Sequence, residues 1–252
     1  MPALTNGRYA HSLENAIWAA TITASVAPLA SYSLDALKSR LAVSRCRFGS
    51  GTVTITFTLP APVTANCFAI PASNLQGAVA TVTNGAGLSA AFDAITLPPT
   101  RIPITPIVWF EDSTSDTWQL VISGNPDPVT LGGALWLSPT HTLEKNFRYS
   151  WHEIHERFGT VAANEYGAEY LVDYGTQARS VRCDFSVNEA GADQLKAWHQ
   201  DGRFQPSLFW PNPLVPDAYV GRWATDLDLE RAHPRWMPIS LTFRELAKGL
   251  AV

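Results

Sequence analysis

Cysteine is scarce in this chain of 252 residues, which has only Cys46, Cys67 and Cys183. No Cys-x-x-Cys pair exists among them, which excludes a zinc ribbon or a disulfide framework and leaves buried thiols in a reducing compartment as the expectation. Charge is sparse as well: Asp, Glu, Lys and Arg make up 16%, with 18 basic against 22 acidic residues and a net charge of −4. Phosphate backbones are gripped by clustered Lys and Arg, so no nucleic-acid partner is expected. No apolar run reaches the roughly 18 residues of a membrane-crossing helix, so no membrane contact is expected either. Residues 16–30 are apolar but follow Glu14 instead of a basic segment, and Thr and Ser interrupt them. They read as a strand and not as a signal peptide. Dinucleotide, P-loop and nucleophile-elbow motifs are missing too, so the glycines of 84–87 and 132–133 read as turns and no cofactor is expected.

What the chain has in quantity is apolar and aromatic surface: 46% hydrophobic and 11% aromatic residues, nine of them Trp. Its length admits one large or two small domains. Residues 179–246 carry the most consistent pattern. Val181, Cys183, Phe185 and Val187 alternate as on a half-buried strand. Asn188 follows as a helix N-cap, with Glu189 at the positive end of the dipole. Ala192, Leu195, Trp198 and His199 then recur at helical spacing, and Gly202 supplies a stop. An aromatic strand (204–210), a proline-rich loop (211–217) and two alternating runs (219–230 and 236–245) complete a strand, helix, strand, loop, strand, strand unit.

Residues 1–141 have few helix signals and many short Thr, Val and Ile runs punctuated by Gly, Pro and Asn, the signature of an antiparallel sandwich. The run 17–25 is the first expected strand, and 32–37 one turn of helix. In 51–59, Val53, Ile55, Phe57 and Leu59 share a face opposite threonines. Residues 107–110 and 118–122 read as strands paired around an acidic turn, 111–116. Residues 165–175 read as a hairpin arm with aromatic tips, and Phe147, Tyr149 and Trp151 alternate as on an entering strand. The fold class expected is mainly β: a jelly-roll-like sandwich over 1–142, then a β-rich domain with one short helix over 143–252.

The order of elements in the second unit, with Phe209-Trp210, Gly221-Arg222-Trp223, Asp226-Leu227-Asp228-Leu229-Glu230 and the closing run 239–246, resembles the ring-forming domain of distal-tail and tail-tip proteins of long-tailed, siphovirus-like bacteriophages. The first unit, with Trp18, the ITAS of 22–25, the TVTITF of 52–57, the AIPASNL of 69–75 and the GGALWLSP of 132–139, is similar to galactose-binding-like, discoidin-type jelly rolls. Together these resemblances imply a structural virion protein, assembled in the host cytoplasm into a ring, hexameric by analogy, at the distal end of a tail. The implied partners are further copies of the chain, the tail-tube protein, and tip, hub or receptor-binding proteins. The alternative is a lectin-like tail module that contacts host surface glycans. An enzymatic reading, such as a depolymerase, is opposed by the lack of a catalytic pair or nucleophile motif.

Two groups of residues are the candidates. Trp210, Pro211, Pro213, Trp223, Asp226, Asp228 and Arg235 are expected at a subunit interface, where Trp anchors are enriched and prolines reduce the entropy lost on docking. Trp109, Trp118, Asp112 and Asp116 combine aromatic platforms with carboxylates, as a sugar site requires. No metal site is expected. His152-Glu153-Ile154-His155 spaces its histidines by three where a zincin helix needs four, and the flanking alternation makes it a strand. Asp226, Asp228 and Glu230 lack the Gly and Glu of an EF-hand loop; they read as a solvent face or as partners for Arg222, Arg235 or Arg244.

Overall fold

The computed structural model describes residues 6–71, 73–75, 77–92, 105–124, 128–144, 152–163, 169–202, 204–212, 214–215, 217–227, 237–246 and 248–249, with side chains except at 155–163, 169–177 and 248–249. The strands are β1 (Arg8–Ala10), β2 (Thr21–Ala24), β3 (Arg45–Arg47), β4 (Val53–Ala69), β5 (Val79–Asn84), β6 (Ser89–Ala91), β7 (Thr105–Ser123), β8 (Thr130–Gly132), β9 (Trp136–Ser138), β10 (His141–Thr142), β11 (His152–Ala163) and β12 (Glu169–Val187). One α-helix, α1 (Glu189–Gly202), precedes β13 (Ser207–Trp210), β14 (Asp217–Trp223), β15 (Met237–Glu245) and β16 (Lys248–Gly249). The chain is mainly β, as expected.

In the first half, β4 is the spine. It pairs antiparallel with β2, β7 and β9; β7 pairs in turn with β5, and β5 with β6. Val53, Ile55, Phe57 and Leu59 are buried while Thr58 is exposed, so the period-two pattern marks the core face correctly. The short pair β3 and β8 brings Cys46, Phe48 and Leu131 onto the same core. Two expectations need correction. Residues 107–110 and 118–122 are not two strands around an acidic turn: both lie on β7, which runs along β4 from Ile107↔Ala69 to Ile122↔Val53. The segment between them has no Gly or Pro to reverse the chain. The run 17–25 begins as a 3-10 turn (Ala16–Ala19), because the Asn15 side chain accepts the Ile17 N–H at 3.2 Å; only Thr21–Ala24 is strand.

In the second half, the strand order is β10-β1-β13-β14-β15-β12-β11. Val181, Cys183, Phe185 and Val187 of β12 and Ile239, Leu241 and Phe243 of β15 turn inward against Ala192, Leu195 and Trp198 of α1. Asn188 caps the helix by accepting the Gly191 N–H at 2.9 Å. Gly202 is the last helical residue, but it does not take the left-handed conformation of a helix stop. A Cβ there would stand 2.7 Å from Ser207 Oγ, so the glycine is needed for close helix-to-strand approach. β14 ends at Trp223 instead of running to Glu230. The entering strand expected at Phe147, Tyr149 and Trp151, the tip of the hairpin arm (164–168) and residues 228–236 lie outside the described residues.

The two halves share structure. β1 inserts between β10 and β13, pairing Tyr9 with His141 and with Phe209, and the start of β7 pairs with β14 through Thr105↔Ala218. A third core of Ala10, Cys67, Ala69, Ile107, Trp136, Leu208, Trp210, Ala218 and Val220 lies between them. Strand β13 is consequently buried on both faces, with Phe209 in the second-half core and Leu208 and Trp210 in the shared one. That placement explains its unbroken apolar run.

Candidate functional site

The residues expected at a sugar site do not form one rim. Trp118 is completely buried in the sandwich core, and its indole N–H donates to Ser115 O at 3.0 Å. It is corrected from platform to core. Trp109 packs instead against the shared core: it lies at an odd spacing from Trp118 on β7 and so turns, with Ile107, to the face opposite Val108, Phe110 and Trp118. Asp116 is exposed and accepts the Thr117 hydroxyl at 3.0 Å.

Trp109 and Asp112 do meet, in a patch that includes residues the pattern of the sequence missed. The Arg8 guanidinium of β1 lies 5.2 Å over the Trp109 ring. Asn66 of β4 donates to Asp112 Oδ1 at 2.9 Å, while its side-chain oxygen accepts the Thr140 N–H and hydroxyl, both at 2.8 Å. Arg8 Nη1 donates to Thr140 Oγ1 at 2.9 Å. Burial lowers the Arg8 pKa against the opposing pull of Cys67 and Asp112. Four strands or their flanks thus supply one polar cluster with an aromatic edge. No local sequence signal places Arg8 beside residues so distant in the chain.

The expected interface tryptophans are also internal. Trp210 is 3% exposed and donates to Val215 O at 2.8 Å. Trp223 is 3% exposed and stands edge-on to Trp198, with ring centres 4.5 Å apart. Both are corrected from anchors to core, because β13 and β14 are central strands between α1 and the sandwich. Pro211 is buried. The exposed apolar side chains described in this region are Phe204 (78%), Leu214 (80%) and Val215 (47%). Asp226 is exposed beyond the end of β14; Pro213, Asp228 and Arg235 lie outside the described residues.

Arg179 forms the most concentrated polar site. Although 2% exposed, it donates through Nε and Nη2 to both oxygens of Glu245 at 2.9 Å, and through Nη1 and Nη2 to Asp217 at 2.5 and 3.0 Å. Nη2 also reaches Ala218 O, and the guanidinium lies 4.3 Å from the centre of the Tyr219 ring. Thr105, on the sandwich side, donates its N–H to Asp217 and its hydroxyl to Glu245. Burial disfavours the Arg179 charge, but Glu245 and Asp217 outweigh it and hold the pKa well above its ordinary value. This cluster is a clamp between the halves.

The three cysteines are free and buried. Burial pushes the Cys46 thiol up to about 11 and the Cys67 thiol up to about 12, values that disfavour the nucleophilic thiolate. His152 and His155 lie on β11, as expected for a strand. Among the described residues no group of three His, Cys, Asp or Glu side chains is placed to hold a metal ion, and no helix is long and apolar enough to cross a membrane.

No family model matches the chain, and no curated protein matches it. Among solved structures it is similar to the chitosan-binding module 1 of a Paenibacillus chitosanase/glucanase, at 17% identity and a TM-score of 0.39 over 49% of this chain and 97% of that one. It is similar to the family 32 CBM of C. perfringens NanJ in complex with galactose, at 9% identity and a TM-score of 0.40 over 51% of this chain and 98% of the other. A third is the F-lectin of striped bass serum, Morone saxatilis, at 12% identity and a TM-score of 0.40 over 97% and 99% of the two chains. At these values the likenesses assign neither a family nor a ligand.

Proposed function

We propose that the chain is a structural subunit that assembles through the outer edge of its second-half sheet, in the setting its sequence resembles: a ring at the distal end of a phage tail, between the tail tube and the tip or receptor-binding proteins. The observation that carries this reading is the β11–β12 hairpin. Among the described residues β12 pairs with β15 only over residues 180–187 and with β16 at 176–177, so there residues 159–163 and 169–173 pair with each other alone. That overhang spans about 17 Å at the usual strand rise. A two-stranded ribbon is marginal in water, and an open edge is a template for another chain. Among the described residues β11 has no neighbour on its outer side. A second copy covering that edge would satisfy both, and a head-to-tail contact that closes by rotation gives a ring.

Negative-stain electron microscopy and light scattering of the purified protein, alone and with the tail-tube protein, test the reading. Rings with a central channel are expected. Monomers throughout, with the partner present, would overturn it.

The second reading, a module that binds surface glycan, is favoured by the Arg8, Asn66, Asp112, Thr140 and Trp109 patch, which joins an aromatic edge to donors and acceptors of both kinds. The similar structures named above include a chitosan-binding module and a module holding galactose, but its weight rests on the patch. Glycan-array binding that Asp112→Ala abolishes would establish this reading; an array without signal would remove it.

A further inference from the structure

At the edge of the second-half sheet opposite β11, a side chain does the work of a missing strand. Gln194 of α1 reaches β10, where its amide nitrogen donates to Thr142 O and its amide oxygen accepts the Glu144 N–H, both at 2.9 Å. Leu143, between those two residues, turns the other way and donates its N–H to Gly7 O on the β1 side. Thr142 O and the Glu144 N–H therefore point away from β1, to the free side of β10. Among the described residues no strand lies there.

The pattern of the two bonds carries a direction. In a parallel pair, one residue bonds the carbonyl before and the N–H after the residue that it faces. The Gln194 amide makes that pair of bonds around Leu143, so it stands in for a parallel neighbour. The sheet runs β10-β1-β13-β14-β15-β12-β11, and every neighbouring pair in it is antiparallel. Seven alternating strands leave the first and the last pointing the same way. When copies follow one another by rotation about an axis along the strands, β11 of one copy meets β10 of the next as a parallel neighbour. A two-fold contact of β11 with β11 would be antiparallel and would leave β10 unused.

We propose that the free side of β10 receives β11 of the next copy, and that Gln194 guards this edge in the free subunit by holding the two backbone groups that β11 takes on assembly. The inference rests on the ring reading given above; it adds where the second patch of the head-to-tail contact lies and what keeps it closed. Covering an edge is how a sheet avoids unplanned pairing. Both amide bonds are exposed to water, so each is weak in net terms and exchanges readily for a backbone bond of the same kind. The Tyr9 side chain is hydrogen-bonded to the same glutamine, which ties the guard to β1 as well.

The test compares the full native chain with Gln194→Ala, by light scattering over a dilution series, negative-stain images and hydrogen exchange at the Glu144 amide. Alanine at 194 keeps a strong helix former in α1. The variant is expected to assemble at a subunit concentration about tenfold lower, the scale of two exposed hydrogen bonds that no longer have to be given up. As a free subunit it should exchange the Glu144 amide faster than the native chain does. In the rings of both chains that amide should be equally slow, since β11 now holds it. Native rings with no gain in the variant, or a Glu144 amide that stays fast in the variant's rings, would overturn the guarded edge and leave ring assembly standing. Two-fold dimers in place of rings, with that amide still fast, would set β11 against β11 and overturn it equally. Monomers of both chains with the tail-tube protein present would remove the ring reading itself, and this inference with it.

Discussion

The core of the sandwich and the core of the second-half sheet are built to different rules. Around Phe57, Phe68, Trp118 and Leu137 the sandwich interior is apolar, and the fit of side-chain shapes sets most of its specificity. The inner face of β12 and β15 begins in the same way, at Val187 and Met237, but ends in Arg179 and Glu245. The polar end is the one that meets the sandwich, through Thr105. Close packing makes each half; a satisfied charge cluster fixes their junction beside the shared apolar core. Apolar surfaces adhere in many registers, whereas a two-pronged ion pair with fixed donors accepts few, so this junction is defined by geometry more than by area.

The largest expected effect breaks the clamp. Arg179→Met leaves Glu245 buried without its arginine and should cost about 3–5 kcal/mol, read as a lower urea midpoint. Adding Glu245→Leu to that variant should recover much of the loss, because an apolar replacement of a buried pair is often neutral. If the double variant is no more stable than the single, the junction does not work as a self-contained charge cluster. A mid-sized effect sharpens the contrast on the helix side. Asn188→Ala removes the cap to Gly191 and should cost about 1 kcal/mol, measured by the same titration. An unchanged midpoint would show that the helix is held by Trp198 and Leu195 packing alone.

The smallest effect is pH-dependent and lies beside β1. His141 Nε2 is 2.8 Å from Glu14 Oε1. The hydrogen bond to Glu14 raises the His141 pKa against the effect of burial. At Glu14 burial acts upward, but the hydrogen bonds from His141 and the His11 backbone outweigh it and the pKa is lowered. The raised His141 value means stability that is full below 6.5, the ordinary value, and is lost as pH rises through the folded-state pKa. The lowered Glu14 value means stability present above 4.5 and lost as pH falls. The difference in melting temperature between the native chain and His141→Gln should therefore be greatest between these two pH values and shrink on either side. A difference that is flat with pH would show that the pair contributes no charge interaction. Solvent screening at this partly exposed pair keeps the effect small.

Much of the fold was legible because it is periodic. The inward faces of β4, β12 and β15 and the Asn188 cap follow from alternation and one local hydrogen bond. The aromatic strand was legible as a strand, but not as one covered on both faces, since nothing in Ser207–Trp210 says how many layers lie over it. Thus Trp210 and Trp223 read as exposed anchors when they are core. The acidic segment of β7 read as a turn because charge imitates turn chemistry, while the absence of Gly and Pro was the stronger signal. The Arg179 clamp was not legible. It unites residues far apart in the chain, and an arginine next to an alternating run carries no mark of its distant partner.

The insertion of β1 between β10 and β13 has a consequence during synthesis. Arg8 pairs with Trp210 as well as with Thr142, so about two hundred residues must be added before β1 gains its second neighbour, β13. At 5–20 residues per second that is a wait of roughly 10–40 s. Throughout it Tyr9, which ends stacked 4.6 Å from the Trp198 ring, has no finished sheet to enter. The sandwich strands can pair as they emerge, whereas the seam between β1 and β13 cannot close until that wait is over, and a chaperone that shields the short segment would act during it.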